Sequence, residues 1–251
     1  MASNPSPHSD PSTGILTGIG VGPGDPELLT IKALRQLQAT PVVAFPAGRQ
    51  GQPGWAEQII APWMREHQLK LPLQFPYVFD PATLSTAWQA AAQQVWQYLS
   101  TGQNVTFASE GDISFYSTFS YLAQTLLQMR PQAQVRSIPG VCSPMAAAAA
   151  LGQPLTQQHQ RLAILPGVYG PHELEAALAW ADVVVVMKLG SVYPEIWQIL
   201  AQHQLLQQSY IVQKATTPDQ IVYAGLGDLP DLALPYFSIL VIHVRQIELA
   251  A

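Results

Sequence analysis

Between residues 18 and 30 the chain reads Gly18-Ile19-Gly20-Val21-Gly22-Pro23-Gly24-Asp25-Pro26-Glu27-Leu28-Leu29-Thr30, directly after the short apolar run Gly14-Ile15-Leu16-Thr17. A strand therefore ends in a glycine-rich turn, and the turn opens onto a helix N-terminus. Glycine lets backbone approach a ligand closely because it lacks a Cβ and tolerates positive φ. Two details separate this turn from a dinucleotide loop. Pro23 stiffens it and removes an N–H that a phosphate would use, and the glycines stop at Gly24 instead of continuing as G-x-G-x-x-G. Asp25 reads as the N-cap and Pro26 as the first helical residue. A carboxylate is a poor neighbour for pyrophosphate, so the turn is suited to a ligand other than NAD.

The rest of the first half keeps the strand–helix alternation. A helix from Asp25 to Gln38 is expected from Leu28, Ile31, Leu34 and Leu37, followed by a buried strand, Val42–Phe45. Trp55, Ile59, Ile60 and Trp63 suggest a second helix, and Leu69–Phe75 a weaker strand. Asp80-Pro81 opens a long helix that Gly102 ends; strand Val105–Ala108, helix Tyr116–Met129 and strand Gln134–Ile138 follow. This βαβ rhythm implies a mostly parallel sheet covered on both faces. After helix Ser143–Leu151, capped by Ser143-Pro144, the texture changes. Strands at Arg161–Leu165, Val183–Met187, Tyr210–Lys214 and Tyr236–Val244 are separated by helices Glu173–Trp180 and Glu195–Leu205. Gln220–Tyr223 and Tyr236–Val244 are joined too briefly for a crossover helix, which predicts antiparallel pairing. The expected fold is α/β with two domains: residues 13–141 as a mostly parallel α/β domain and 142–251 as a smaller α+β domain with a mixed sheet. A polar, Pro/Ser-rich tail, residues 1–12, precedes them. Cofactor and substrate are expected in the cleft between the domains.

Composition narrows the function. Charged residues are only 11% of the 251, and the net charge is −5 with the eleven Lys and Arg scattered singly, which speaks against nucleic acid. One cysteine excludes an internal disulfide, and the six dispersed histidines share no metal-ligand spacing, so no metal is expected. No apolar run reaches the length of a membrane span, and the tail lacks a signal-peptide core, so a cytoplasmic protein is expected. No G-x-S-x-G or P-loop pattern occurs.

The chemistry is expected at the ends of strands, where open α/β sheets bind ligands. Besides the first turn, Ser109-Glu110-Gly111-Asp112-Ile113-Ser114-Phe115-Tyr116-Ser117-Thr118 puts carboxylates and hydroxyls between a buried strand and a helix, more than a helix cap needs. Ile138-Pro139-Gly140-Val141-Cys142-Ser143-Pro144 forms another turn. Cys142 reads as a small half-buried residue and not a nucleophile. Met187-Lys188-Leu189-Gly190 places a lysine at the end of an apolar strand, suited to a substrate carboxylate or simply to solvent. Gln213-Lys214-Ala215-Thr216-Thr217-Pro218-Asp219-Gln220 would otherwise be a plain turn.

In order, these segments resemble the signature of the tetrapyrrole methyltransferases, S-adenosylmethionine-dependent enzymes of cobalamin and sirohaem synthesis, from Gly14 to Val244. Ile113 stands where the family has the proline of a G-D-P turn, and Cys142 where Ser or Thr is usual. Glu110-Gly111-Asp112, Phe115-Tyr116 and Met187-Lys188-Leu189-Gly190 resemble the precorrin-2 C(20)-methyltransferase branch in particular. The resemblance implies S-adenosylmethionine held by Pro23, Gly111, Asp112, Ser117, Thr118, Cys142, Ser143, Met187, Lys188, Ala215 and Thr216, with the Ala215 backbone pairing with the adenine edge. It implies methylation of precorrin-2, or cobalt-precorrin-2, at C-20 to give precorrin-3A. Asp25, Glu110, Asp112 and Tyr116 are candidates for guiding the released proton or balancing the sulfonium, and Lys188, Arg49 and Lys214 for steering the polycarboxylate. A homodimer is also implied, and exposed aromatics such as Trp55, Trp63 or Tyr77 would suit one. The alternatives are a relative with another target carbon, a cousin acting on RNA or a protein histidine, and a nicotinamide-dependent oxidoreductase. The last would need an acidic residue closing the second strand, where Pro46-Ala47-Gly48 stands.

Overall fold

The computed structural model describes residues 13–48, 51–76, 78, 80–168 and 170–245, the side chain of Ser191 excepted. The expected tail, Arg49 and Tyr77 lie outside the described residues. The chain divides into two compact units, Met1–Val141 and Cys142–Ala251.

In the first unit, strands β1 (Ile15–Gly20), β2 (Val42–Pro46), β3 (Leu69–Leu73), β4 (Val105–Ser109) and β5 (Gln134–Ile138) form a parallel sheet in the order β3-β2-β4-β1-β5. Helices α1 (Ile31–Ala39), α2 (Trp55–Ile60), α3 (Pro81–Leu99) and α4 (Thr118–Met129) connect them. Successive strand residues point to opposite faces, and the core divides accordingly. Ile19, Val43 and Phe45 pack with Ala33 and Leu37 of α1 and Ile59 and Ile60 of α2. Leu16, Val42, Ala44, Val105 and Phe107 pack with Val95 and Leu99 of α3 and Leu122 and Leu126 of α4. Burying each of the Val, Leu, Ile and Phe side chains among them contributes roughly 1.5–3 kcal/mol.

The second unit holds α5 (Ser143–Leu151), α6 (Pro171–Trp180), α7 (Tyr193–Gln202) and the strands β6 (Leu162–Leu165), β7 (Val183–Met187), β8 (Ser209–Gln213), β9 (Ile221–Ala224) and β10 (Ser238–His243). The sheet order is β6-β7-β10-β8-β9, with β6 and β7 parallel and the remaining pairs antiparallel. The fold is thus α/β, with one parallel and one mixed sheet.

Several boundaries differ from the sequence expectation for physical reasons. The helix expected from Asp25 is a 3-10 turn, Pro26–Leu28, and then α1, because Leu29 is extended and Thr30 recaps the chain by accepting from Ala33 N–H. Ile31, expected on the buried stripe, is 69% exposed. Helix α4 starts at Thr118, after Ser117 as cap, and not at Tyr116. The cap of α5 is Cys142, one residue before the expected Ser143, and its thiol makes no capping bond. Strands β9 and β10 are each antiparallel to β8, which lies between them, and so do not pair with each other. Their connection runs back along the sheet without a helix. Leu229 and Leu232 pack on the core, while the Tyr193 hydroxyl donates to Leu229 O at 2.6 Å and Trp197 Nε1–H to Leu226 O at 2.7 Å. Burial pushes the Tyr193 hydroxyl up to about 12, so it stays a donor.

Candidate active site

Parallel strands deliver their carboxyl ends to one edge of a sheet, so the turns after β1, β4 and β5 share one edge of the first unit. There backbone meets backbone. Gly111 N–H donates to Gly22 O at 2.7 Å and Gly22 N–H to Gly111 O at 3.2 Å, while Val21 N–H reaches Ser109 O at 2.9 Å. A Cβ on Gly20 would stand 2.7 Å from both Gly111 O and Gly140 N, and one on Gly140 would stand 2.5 Å from Gly111 O. Only glycine permits this approach.

Two indoles brace the first turn. Trp55 Nε1–H donates to Pro23 O and Trp63 Nε1–H to Pro26 O, each at 3.1 Å. Both tryptophans are half-buried, so the expectation that they form an exposed interface surface is corrected: their N–H groups and rings are committed to this turn. Sequence reading missed that role, which depends on contacts across more than thirty residues of chain. Asp25, half-buried, accepts from Glu27 N–H at 2.8 Å as the cap of the 3-10 turn.

In the turn after β4, Ile113 is buried in the core shared with α3 and α4, so an apolar anchor holds the turn where the family has proline. Glu110 is half-buried beside it. The Asp112 carboxylate accepts from Ser114 N–H at 2.8 Å, from the Ser114 hydroxyl, and from Gly140 N–H at 2.7 Å. Burial pushes this carboxyl up, but the three hydrogen bonds outweigh it and hold it below the usual range. Ser117, buried, donates to Ser109 Oγ at 3.0 Å and accepts from Phe119 N–H at 3.2 Å, which commits its hydroxyl to the helix cap that begins α4 at Thr118. Tyr116 is exposed and has a left-handed backbone, φ 51°, its ring edge-on to Phe115 at 4.6 Å.

In the second unit, the half-buried Cys142 precedes Ser143 and the first turn of α5. Met187 ends β7, and Lys188 follows in left-handed backbone, φ 58°. Its exposed ammonium lies 5.7 Å from the centre of the Tyr236 ring and makes no ion pair among the described residues. Lys214, φ 44°, instead pairs with Asp219 at 3.2 Å, which offsets its charge and weakens its case as a carboxylate receiver. Its carbonyl accepts from Thr217 N–H and hydroxyl, and Thr216, φ 70°, donates its N–H to Gln220 Oε1 at 2.7 Å. Ala215 lies between them, 6% exposed, and neither its N–H nor its C=O has a hydrogen-bond partner among the described residues. Buried backbone groups are almost always paired, which sets Ala215 apart from its neighbours in this turn.

Among the described residues no group of three or more His, Cys, Asp or Glu could hold a metal ion, and no helix is long and apolar enough to cross a membrane. The family described as Tetrapyrrole (Corrin/Porphyrin) Methylases matches residues 16–230. The chain belongs to this family. It is 36% identical over 234 residues to the cobalamin biosynthesis protein CobIJ of Mycobacterium bovis, covering 90% of this chain and 45% of that protein. The chain thus spans about half the length of that relative. It is 32% identical over 237 residues to the precorrin-2 C(20)-methyltransferase of Sinorhizobium sp, covering 91% of this chain and 95% of the relative. With the cobalt-precorrin-2 C(20)-methyltransferase of Salmonella typhimurium the identity is 30% over 238 residues, covering 94% and 99%. Among solved structures, uroporphyrin-III C-methyl transferase from Thermus thermophilus, complexed with S-adenyl homocysteine, superposes with a TM-score of 0.66 at 22% identity, covering 91% of this chain and 97% of that one.

Proposed function

We propose that this family member is an S-adenosylmethionine-dependent C-methyltransferase that converts precorrin-2, or its cobalt form, into the C-20-methylated product precorrin-3A. The observation that carries the methyl-donor part is Ala215, whose buried backbone donor and acceptor, without a partner among the described residues, match an adenine edge. The target carbon is supported by the names of the Sinorhizobium and Salmonella relatives and by the Glu110-Gly111-Asp112 and Met187-Lys188-Leu189-Gly190 segments.

When bound, the donor supplies a methyl group on a sulfonium, open to in-line displacement. This chain's part is to position and to exclude water, worth roughly 7–11 kcal/mol for well-oriented reactants. The Gly20–Gly22, Gly111 and Gly140 backbone offers a rigid surface with no side chain in the way, and Pro23, Thr118, Cys142, Ser143, Met187 and Thr216 complete the proposed donor contacts. Lys188, which makes no ion pair among the described residues, offers its cation to a peripheral carboxylate, with the Tyr236 ring beside it. Arg49 stays a candidate for the same task. Asp25, Glu110 and Tyr116 remain candidates for receiving the proton released at C-20.

Calorimetry with S-adenosylhomocysteine and with NAD tests the reading: binding of the first and none of the second is expected, and the reverse overturns it. Mass spectrometry of the product should show one added methyl and NMR should place it on C-20; another carbon keeps the family and defeats the branch. The same reading makes the protein a cytoplasmic homodimer, which light scattering would contradict with a clean monomer at high concentration.

A further inference from the structure

We infer that Asp112 is a positioning residue, the pin that presets the three strand-end turns of the first unit for the methyl donor, and that it carries no proton in the reaction. The inference rests on the methyl-donor reading and deepens it.

Sequence reading gives Asp112 two roles, acid–base group and donor contact, and its geometry suits neither as the main one. Oδ1 is taken by the N–H and hydroxyl of Ser114, two residues along its own turn. Oδ2 accepts from Gly140 N–H at 2.7 Å, across 28 residues of sequence, and so ties the turn after β4 to the turn after β5. Gly140 in turn lies against Gly20 and Gly111, and Gly111 is bonded both ways to Gly22. One carboxylate therefore closes a ring of contacts around all three turns. Gly111 is at φ +71°, and nothing lies within 4 Å of where its Cβ would be, so the ring leaves an open face there. A carboxylate with both oxygens engaged and its acidity strengthened would have to break the ring to take a proton, which disfavours it as a base.

Asp112→Asn keeps the size but turns an NH2 toward one set of donors. Calorimetry should show S-adenosylhomocysteine binding weakened by about tenfold, as expected for losing a charge-assisted hydrogen bond. The KM for S-adenosylmethionine should rise in parallel, while kcat at saturating donor stays essentially unchanged. Ser114→Ala, which spares the Gly140 bond and the Ser114 N–H, should stay close to wild type. If Asp112→Asn does not fold, Asp112→Glu, which keeps the charge on a longer arm, should show an intermediate loss of donor affinity. A kcat lowered about a hundredfold or more with donor affinity intact would make Asp112 a proton carrier and overturn the inference. Unchanged donor affinity and unchanged kcat would overturn it as well. Failure of the wild type to bind S-adenosylhomocysteine would instead sink the methyl-donor reading, before any variant is compared.

Discussion

At the carboxyl ends of β1, β4 and β5 the turns are built of glycine set against glycine, whereas those after β7 and β8 carry Lys188, Lys214 and Thr216 through left-handed backbone. A non-glycine residue in that conformation costs roughly 1–2 kcal/mol, so the second unit accepts strain that glycine would have removed. The difference follows from what each edge presents. Where a Cβ would stand within 3 Å of a neighbouring turn's main chain, as at Gly20 and Gly140, only glycine fits, and the edge is left to backbone. Where an ammonium or hydroxyl must be delivered at a fixed place, the side chain has to stay and the backbone bends to suit it. Tyr116, φ 51°, is the first unit's exception, and it too presents a ring to solvent.

The comparison breaks most severely at Gly20. Gly20→Ala brings a methyl to 2.7 Å from Gly111 O and Gly140 N, groups of the main chain that cannot rotate away. Destabilisation of about 3 kcal/mol is expected, the upper range for overpacking, together with loss of S-adenosylhomocysteine binding. Urea unfolding and calorimetry measure both; a stable variant with normal affinity would show that the close approach is incidental.

Lys188 tests the other side. Lys188→Ala should weaken tetrapyrrole binding by about 1–3 kcal/mol, as for the loss of a charged hydrogen-bond partner, with donor affinity unchanged. Lys188→Gly should lose the same binding yet gain about 0.5–1 kcal/mol of stability, since relief of left-handed strain exceeds the added freedom of the unfolded chain. If the glycine variant is less stable than the alanine variant, strain at this position is not what separates the two edges.

Much of this was readable beforehand, and the losses have identifiable causes. Strands β5 and β7 and helix α5 were legible to the residue because a local signal bounds each of them: Pro139-Gly140 after β5, Lys188 after the valine run of β7, and Gly152 after α5. The turns proposed to carry the site stood out because glycines, carboxylates and hydroxyls crowd behind apolar runs. What periodicity could not supply was any relation between distant segments. The clamp from Asp112 to Gly140, the indoles of Trp55 and Trp63 on the first turn, and the ion pair of Lys214 with Asp219 depend on tertiary packing or on a turn's detailed shape. The placement of β8 between β9 and β10 was missed for a related reason. The connection that returns along the sheet is an irregular segment anchored by Leu226, Leu229 and Leu232, without the period by which a crossover helix is known.

The smallest effect separates the two units by pH. In the second unit burial holds the His243 imidazole, edge-on to Tyr210 at 5.9 Å, below its ordinary value of 6.5. The unfolded chain takes up that proton near 6.5 while the folded chain does so only at lower pH, so stability is whole above 6.5 and declines as the pH falls below it. In the first unit Asp112 is displaced downward from 3.8, so its contribution is present above that value and is lost only as the pH falls through the lower, folded one. Acidification from about pH 7.5 to about pH 5 enters the histidine's window and stops short of the carboxylate's. Amide hydrogen exchange over this interval should therefore show protection falling in the sheet of β7, β8 and β10 while that of β1, β4 and β5 holds. His243→Gln, which removes the titrating ring, should flatten the first trend and leave the second as it was. Equal loosening of both sheets, or a slope that survives the substitution, would mean that the units do not differ in acid response by way of this residue.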